Sequence, residues 1–128
     1  MSTDLAMLIA ACVLALVQIG IYGIFAMRQL GVVYAAGPRD EERPITGVAG
    51  RLKRAYQNHL ETLPLFAAGV IVAHLAGEAN ATTALASQIY VAARVAYVPL
   101  YAFGIPLRSL AWGVATGAIA VIFVVALD

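Results

Sequence analysis

Gly50-Arg51-Leu52-Lys53-Arg54-Ala55-Tyr56-Gln57-Asn58-His59-Leu60-Glu61-Thr62-Leu63-Pro64-Leu65-Phe66 runs from a basic loop straight into an apolar segment and carries Asn58 and Glu61 with it. Polar groups at the edge of a hydrocarbon layer are costly, so they are functional candidates by default. Arg51, Arg54, Asn58 and Glu61 follow one another at intervals of three, four and three residues. On a helix turning about 100° per residue they fall within an arc of about 100° and form one polar stripe. Two cations, an amide and a carboxylate in a row suit a small zwitterionic ligand that has carboxylates of its own.

The rest of the chain sets that stripe in a membrane. Of 128 residues, 62% are hydrophobic and 12% charged, and the mean hydropathy is +0.88. A typical soluble domain has about 25% charged residues. A spanning helix needs about 20 mostly apolar residues, and four segments fit. They are Leu5 to Met27, interrupted only by Gln18; Leu60 to Ala76, with a polar helical extension back to about Val48; Thr82 to Phe103, broken by Arg94 and Pro99; and Leu107 to Leu127. The sequence therefore predicts an all-α membrane protein. Its four transmembrane helices form an up-down bundle, and residues 1–128 make a single domain. A β-barrel would show short alternating segments instead of long apolar runs. The first segment is too long for a signal peptide core and follows the acidic leader Met1-Ser2-Thr3-Asp4, so it reads as a retained helix.

The net charge of +1 suggests neither nucleic acid nor acidic partners. Six of the eight cations, Arg28, Arg39, Arg43, Arg51, Lys53 and Arg54, lie in or beside the first loop. The second loop, Gly77-Glu78-Ala79-Asn80, has none, and the third, Gly104-Ile105-Pro106, leads to Arg108. The positive-inside rule predicts cytoplasmic first and third loops, with both termini on the opposite side. Loop one, about Leu30 to Thr46, reads as a turn-rich surface connection. Cys12 lies in an apolar run and reads as a small buried hydrophobe. His59 and His74 lack metal-ligand spacing, and no metal is expected. Gly113 and Gly117 form a GxxxG, a weak sign of a helix packing face.

A second cluster sits on the third and fourth spans. Arg94, Tyr97 and Tyr101 are three and four residues apart and share a helix face. Arg108 begins the last helix, at the membrane level of Arg51 and Arg54. Three arginines and two phenols meeting there would attract anions. Guanidinium forks suit carboxylates, and phenols donate to oxygen or sulfur. Taken singly, Arg51, Lys53 and Arg54 read as cations that snorkel to headgroups, and Tyr97 and Tyr101 as aromatic-belt anchors. Arg94 is harder to place in those terms. An arginine at a helix centre costs roughly 2.5–3.5 kcal/mol. Glu61 is its obvious carboxylate partner in a structural ion pair. The same carboxylate could instead hold a ligand's ammonium group.

Arg51-x-x-Arg54-x-x-x-Asn58-x-x-Glu61-x-x-Pro64 resembles the signature of the MAPEG family, the membrane-associated proteins in eicosanoid and glutathione metabolism. Tyr97-x-x-x-Tyr101 followed by Arg108 is similar to the leukotriene C4 synthase pattern. Arg94-Val95-Ala96 and Pro106-Leu107-Arg108-Ser109 resemble the prostaglandin E synthase branch. Trp112 stands where that branch has a tyrosine, and Thr62 where leukotriene C4 synthase has one. The resemblance covers nearly the whole chain and includes the microsomal glutathione transferases. It implies a homotrimer with glutathione, the co-substrate, bound between subunits. Arg51, Arg54, Asn58 and Glu61 would hold the tripeptide's charged ends, Tyr97 and Tyr101 would line the site, and Arg108 would be the catalytic residue that favours the thiolate. The implied activity is that of a glutathione-dependent transferase or peroxidase acting on a lipophilic small molecule among membrane lipids. The family also includes a non-catalytic lipid-binding scaffold, which is the alternative. A small drug or proton antiporter is disfavoured, because the first span has no embedded carboxylate.

Overall fold

A computed structural model describes residues 1–128. All its regular structure is helical: α1 (Thr3–Leu30), α2 (Val32–Ala36), α3 (Gly47–Leu75), α4 (Ala81–Ala102) and α5 (Arg108–Leu127). The four long helices differ from the expected segments by a turn or less at each end. The sequence reading did not include α2, which lies in the connection taken as a surface loop. Five residues are too few to show a helical period.

Local chemistry sets the helix ends. Gly31, at φ +90°, separates α1 from α2, and Gly104, at φ +68°, lets the chain reverse between α4 and α5. Both angles are in the left-handed region that glycine tolerates. Asn80 starts α4. Its Oδ1 accepts from the N–H groups of Thr82 at 2.9 Å and Thr83 at 3.1 Å, while the Thr83 hydroxyl accepts from the Asn80 N–H at 2.9 Å. This reciprocal pair is a capping box.

Helices α3 and α4 form the middle of the fold. Each packs on the other and on both α1 and α5, whereas α1 and α5 do not meet. The core is rich in alanine, with Ala11, Ala86, Ala93, Ala115 and Ala118 set around Phe66, Tyr90 and Ile122. Small residues let helix backbones approach closely, as they do in membrane bundles. The rings of Phe66 and Tyr90 stack with centroids 4.0 Å apart. Polar ties hold α1 along its length. The Thr83 hydroxyl lies 3.3 Å from buried Asp4 Oδ2 at one end, His59 Nε2 lies 2.9 Å from the Ala11 carbonyl in the middle, and Gln29 Oε1 accepts from the Thr46 N–H at 2.8 Å at the other end.

Helices α1 and α5 are each long and apolar enough to cross a membrane. Helices α3 and α4 carry more polar groups, which dilute their apolar runs. Cys12 on α1, expected to be buried, is exposed, because α1 packs on α3 and α4 by one face only. The glycine that matters for packing is not in the GxxxG of α5, where Gly113 and Gly117 face open space. It is Gly69 on α3. A Cβ there would lie 2.7 Å from the Phe123 ring and 3.0 Å from an Ile122 methyl. Gly69→Val should overpack this contact by about 1–3 kcal/mol and lower the thermal midpoint in detergent. An unchanged midpoint would show that α5 can move away freely.

Candidate functional site

The site lies at the end of the fold where α3 begins, α4 ends and α5 starts. Arg51 and Arg54 project from the first turns of α3 toward the last turn of α4. The Arg51 Nε–H donates to the Ala102 carbonyl at 2.8 Å, closing the end of α4. The Arg54 Nε–H donates to the Tyr101 hydroxyl at 3.2 Å. The Arg108 guanidinium lies 4.3 Å from the Tyr101 ring centroid, and that of Arg54 lies 5.7 Å from it. Tyr101 is thus a shared platform for two cations, an arrangement favoured by the negative face of the ring.

These groups surround a recess of 420 Å³ lined by Arg51, Arg54, Tyr101, Arg108, Ser109 and the Gly104-Ile105-Pro106 turn. A smaller recess of 220 Å³ adjoins it, lined by Asn58, Tyr97, Arg108, Ser109 and Trp112. Arg108 and Ser109 belong to both. The short reversal after Gly104 carries Arg108 back over the end of α4, so residues 57 positions apart in sequence, Arg51 and Arg108, line one hollow.

Arg94 lies beneath this surface. Only 1% of it is exposed. Its Nη1 donates to Asn58 Oδ1 at 2.9 Å, and its guanidinium carbon sits 4.2 Å from the Tyr97 ring centroid. Its Nε and Nη2 have no partner within the chain. The expected ion pair with Glu61 is therefore corrected. The one ion pair in the chain is Arg43 with Glu41, and Glu61 is exposed on the outer face of α3. Three residues along a helix rotate a side chain by about 60°. That is enough for Asn58 to face α4 while Glu61 faces away.

Of the expected site residues, Arg51, Arg54, Asn58, Tyr97, Tyr101 and Arg108 line the two recesses, and Glu61 lines neither. Sequence reading passed over Ser109 and Trp112 as lining residues. Trp112 lies one helical turn beyond Arg108, and that spacing could have found it. Ser109 had no comparable signal. Buried Gln18 on α1, whose amide atoms have no partner, was noted only as an interruption of an apolar run.

The fold and this recess define a helical membrane protein with an arginine-rich pocket at one end. Residues 5–128 match the MAPEG family, and the chain belongs to it. No curated protein and no solved structure matches the chain.

Proposed function

We propose that this MAPEG protein is a four-span homotrimer that binds glutathione and activates its thiol for attack on a lipophilic electrophile or peroxide. The observation that carries the reading is the convergence of three guanidinium groups and two phenols on the hollow shared by Arg108 and Ser109. Arg51 and Arg54 would take the peptide's carboxylates, and Asn58 its amide groups. Arg108 would face the sulfur from the wall common to both recesses. The exposed Glu61 supports assembly. A carboxylate facing hydrocarbon is costly, and a neighbouring subunit together with the ligand's ammonium group would cover it. In this reading, the first and third loops and the recess face the cytoplasm, both termini face the other side, and α1, α3, α4 and α5 are the spans.

A free thiol has a pKa near 8.5 and is mostly protonated at neutral pH. Lowering that pKa by two units takes about 2.7 kcal/mol of differential stabilisation. One guanidinium in a partly dry site supplies energy of that order. No metal is needed for the step.

The test is turnover by purified protein of a lipophilic aryl halide and a lipid hydroperoxide, with native mass spectrometry reporting the subunit number. Glutathione binding without any conjugation or peroxide reduction would favour a scaffold role. Arg54→Ala should weaken glutathione binding roughly ten- to a hundredfold, the usual effect of removing a charged hydrogen-bond partner, and should leave the melting temperature unchanged. Binding equal to the parent's, measured by calorimetry, would reduce the polar stripe to an interfacial anchor.

A further inference from the structure

A larger cavity lies away from the arginine recess. It measures 500 Å³ and sits between the second half of α1, helix α2, Ile45 and the start of α3. Its lining is mostly apolar, and it includes two cations, Arg39 and Lys53. Lys53 follows Arg51 by two residues and so projects from a different face of α3.

Three independent features point to an occupant. The first is charge. Neither cation is paired with a carboxylate, since the protomer's one ion pair is Arg43 with Glu41. The second is backbone conformation. Arg39 is the only non-glycine residue with positive φ, at +58°. This strained geometry brings its guanidinium back to the end of α2, where Nε and Nη2 donate to the Ala35 carbonyl at 2.9 and 2.7 Å. The Arg39 side chain is part of the cavity lining. The third is the open face of α1. Gly20 and Gly23 both line the cavity, and a Cβ on either would meet nothing within 4 Å. Glycine weakens a helix interior, and nothing inside the protomer uses the room these two leave. Tyr22, fixed by stacking on Tyr56 at 5.3 Å, forms part of the wall.

We propose that this cavity binds an anionic phospholipid of the surrounding leaflet. One acyl chain would run along the Gly20–Gly23 face of α1, and the phosphate would lie between Lys53 and Arg39. The membrane supplies the ligand, and basic pockets between helices near the cytoplasmic surface suit such headgroups. The cavity volume is in the range of small-molecule sites. This site shares no lining residue with the proposed glutathione site, so either can fail alone.

The experiment is native mass spectrometry of the full-length protein released from micelles, after equilibration with phosphatidylglycerol, phosphatidylcholine of the same chains, or palmitate. The parent should retain phosphatidylglycerol over phosphatidylcholine. Lys53→Gln should cut that retention about fivefold, the effect of one cation near a membrane surface. Gly23→Leu should fill the cavity from within and abolish retention, with the helix intact by circular dichroism and glutathione affinity unchanged. Equal retention of both phospholipids overturns the proposal, as does retention of palmitate in their place. Gly23→Leu overturns it if phosphatidylglycerol stays bound, or if the subunit number falls, since the open face of α1 would then belong to a neighbouring protomer.

Discussion

Arg108→Ala should leave the helices in place and remove most of the glutathione thiolate. In the structure Arg108 is only half-buried, and its recorded contact is the Tyr101 ring at 4.3 Å. Its loss therefore leaves no buried partner unsatisfied. No other cation lines both recesses, and the Nε–H groups of Arg51 and Arg54 are already engaged with Ala102 and Tyr101. On the proposed mechanism the bound thiol returns from two units below its free value to about 8.5. At pH 7 the thiolate fraction then drops from about three quarters to about 3%. Ultraviolet difference absorbance on adding glutathione reads this directly, with circular dichroism as the control for folding. A thiol pKa unchanged in the variant would remove Arg108 from its assigned role.

The second large effect is expected at Asn58, and it is an effect on stability. Asn58 Oδ1 is the one hydrogen-bond acceptor that Arg94 has in the chain. Asn58→Ala strands a guanidinium that is 1% exposed. Leaving a charged group buried and unpaired costs about 3 kcal/mol, so the variant should melt far below the parent in detergent even without ligand. Asn58→Leu combined with Arg94→Leu removes donor and acceptor together and should cost clearly less than the sum of the single changes. Strict additivity would show that the two side chains do not depend on each other. The contrast with Arg54→Ala is the useful part. That change should lower affinity alone, whereas Asn58→Ala should lower stability first and affinity with it.

The long helices were legible because their apolar runs are long and two of their breaks are chemically plain, at Gly77 to Asn80 and at Gly104 to Pro106. The hollow was legible for a similar reason. The three- and four-residue intervals of Arg51, Arg54 and Asn58 fix a helix face, and the short reversal before Arg108 fixes its height. The partner of Arg94 was not legible. Asn58 and Glu61 share one stripe, and only packing against α4 decides which of them turns inward. Charge argued for Glu61, but the amide is the residue that faces the guanidinium. Helix α2 and the cavity beneath it were hidden as well. A five-residue helix shows no period, and nothing in the spacing of Gly20 and Gly23 marks the empty space that the fold leaves beside them.

The bond from Arg94 to Asn58 also bears on how the chain is made. The two residues lie 36 positions apart, on consecutive long helices joined by the short turn at Ala76 to Asn80. Synthesis delivers the acceptor before the donor. Helices α1 and α5 are apolar enough to be released into lipid one at a time, but α4 brings an arginine that hydrocarbon resists. In the proposed four-span reading, Asn58 is already in place on α3, so that arginine would enter with its hydrogen bond formed and the two helices would leave the insertion machinery as a hairpin. A nascent chain arrested before Arg94 would hold α3 at the exit, its amide still hydrated, until the second arm of the hairpin arrives.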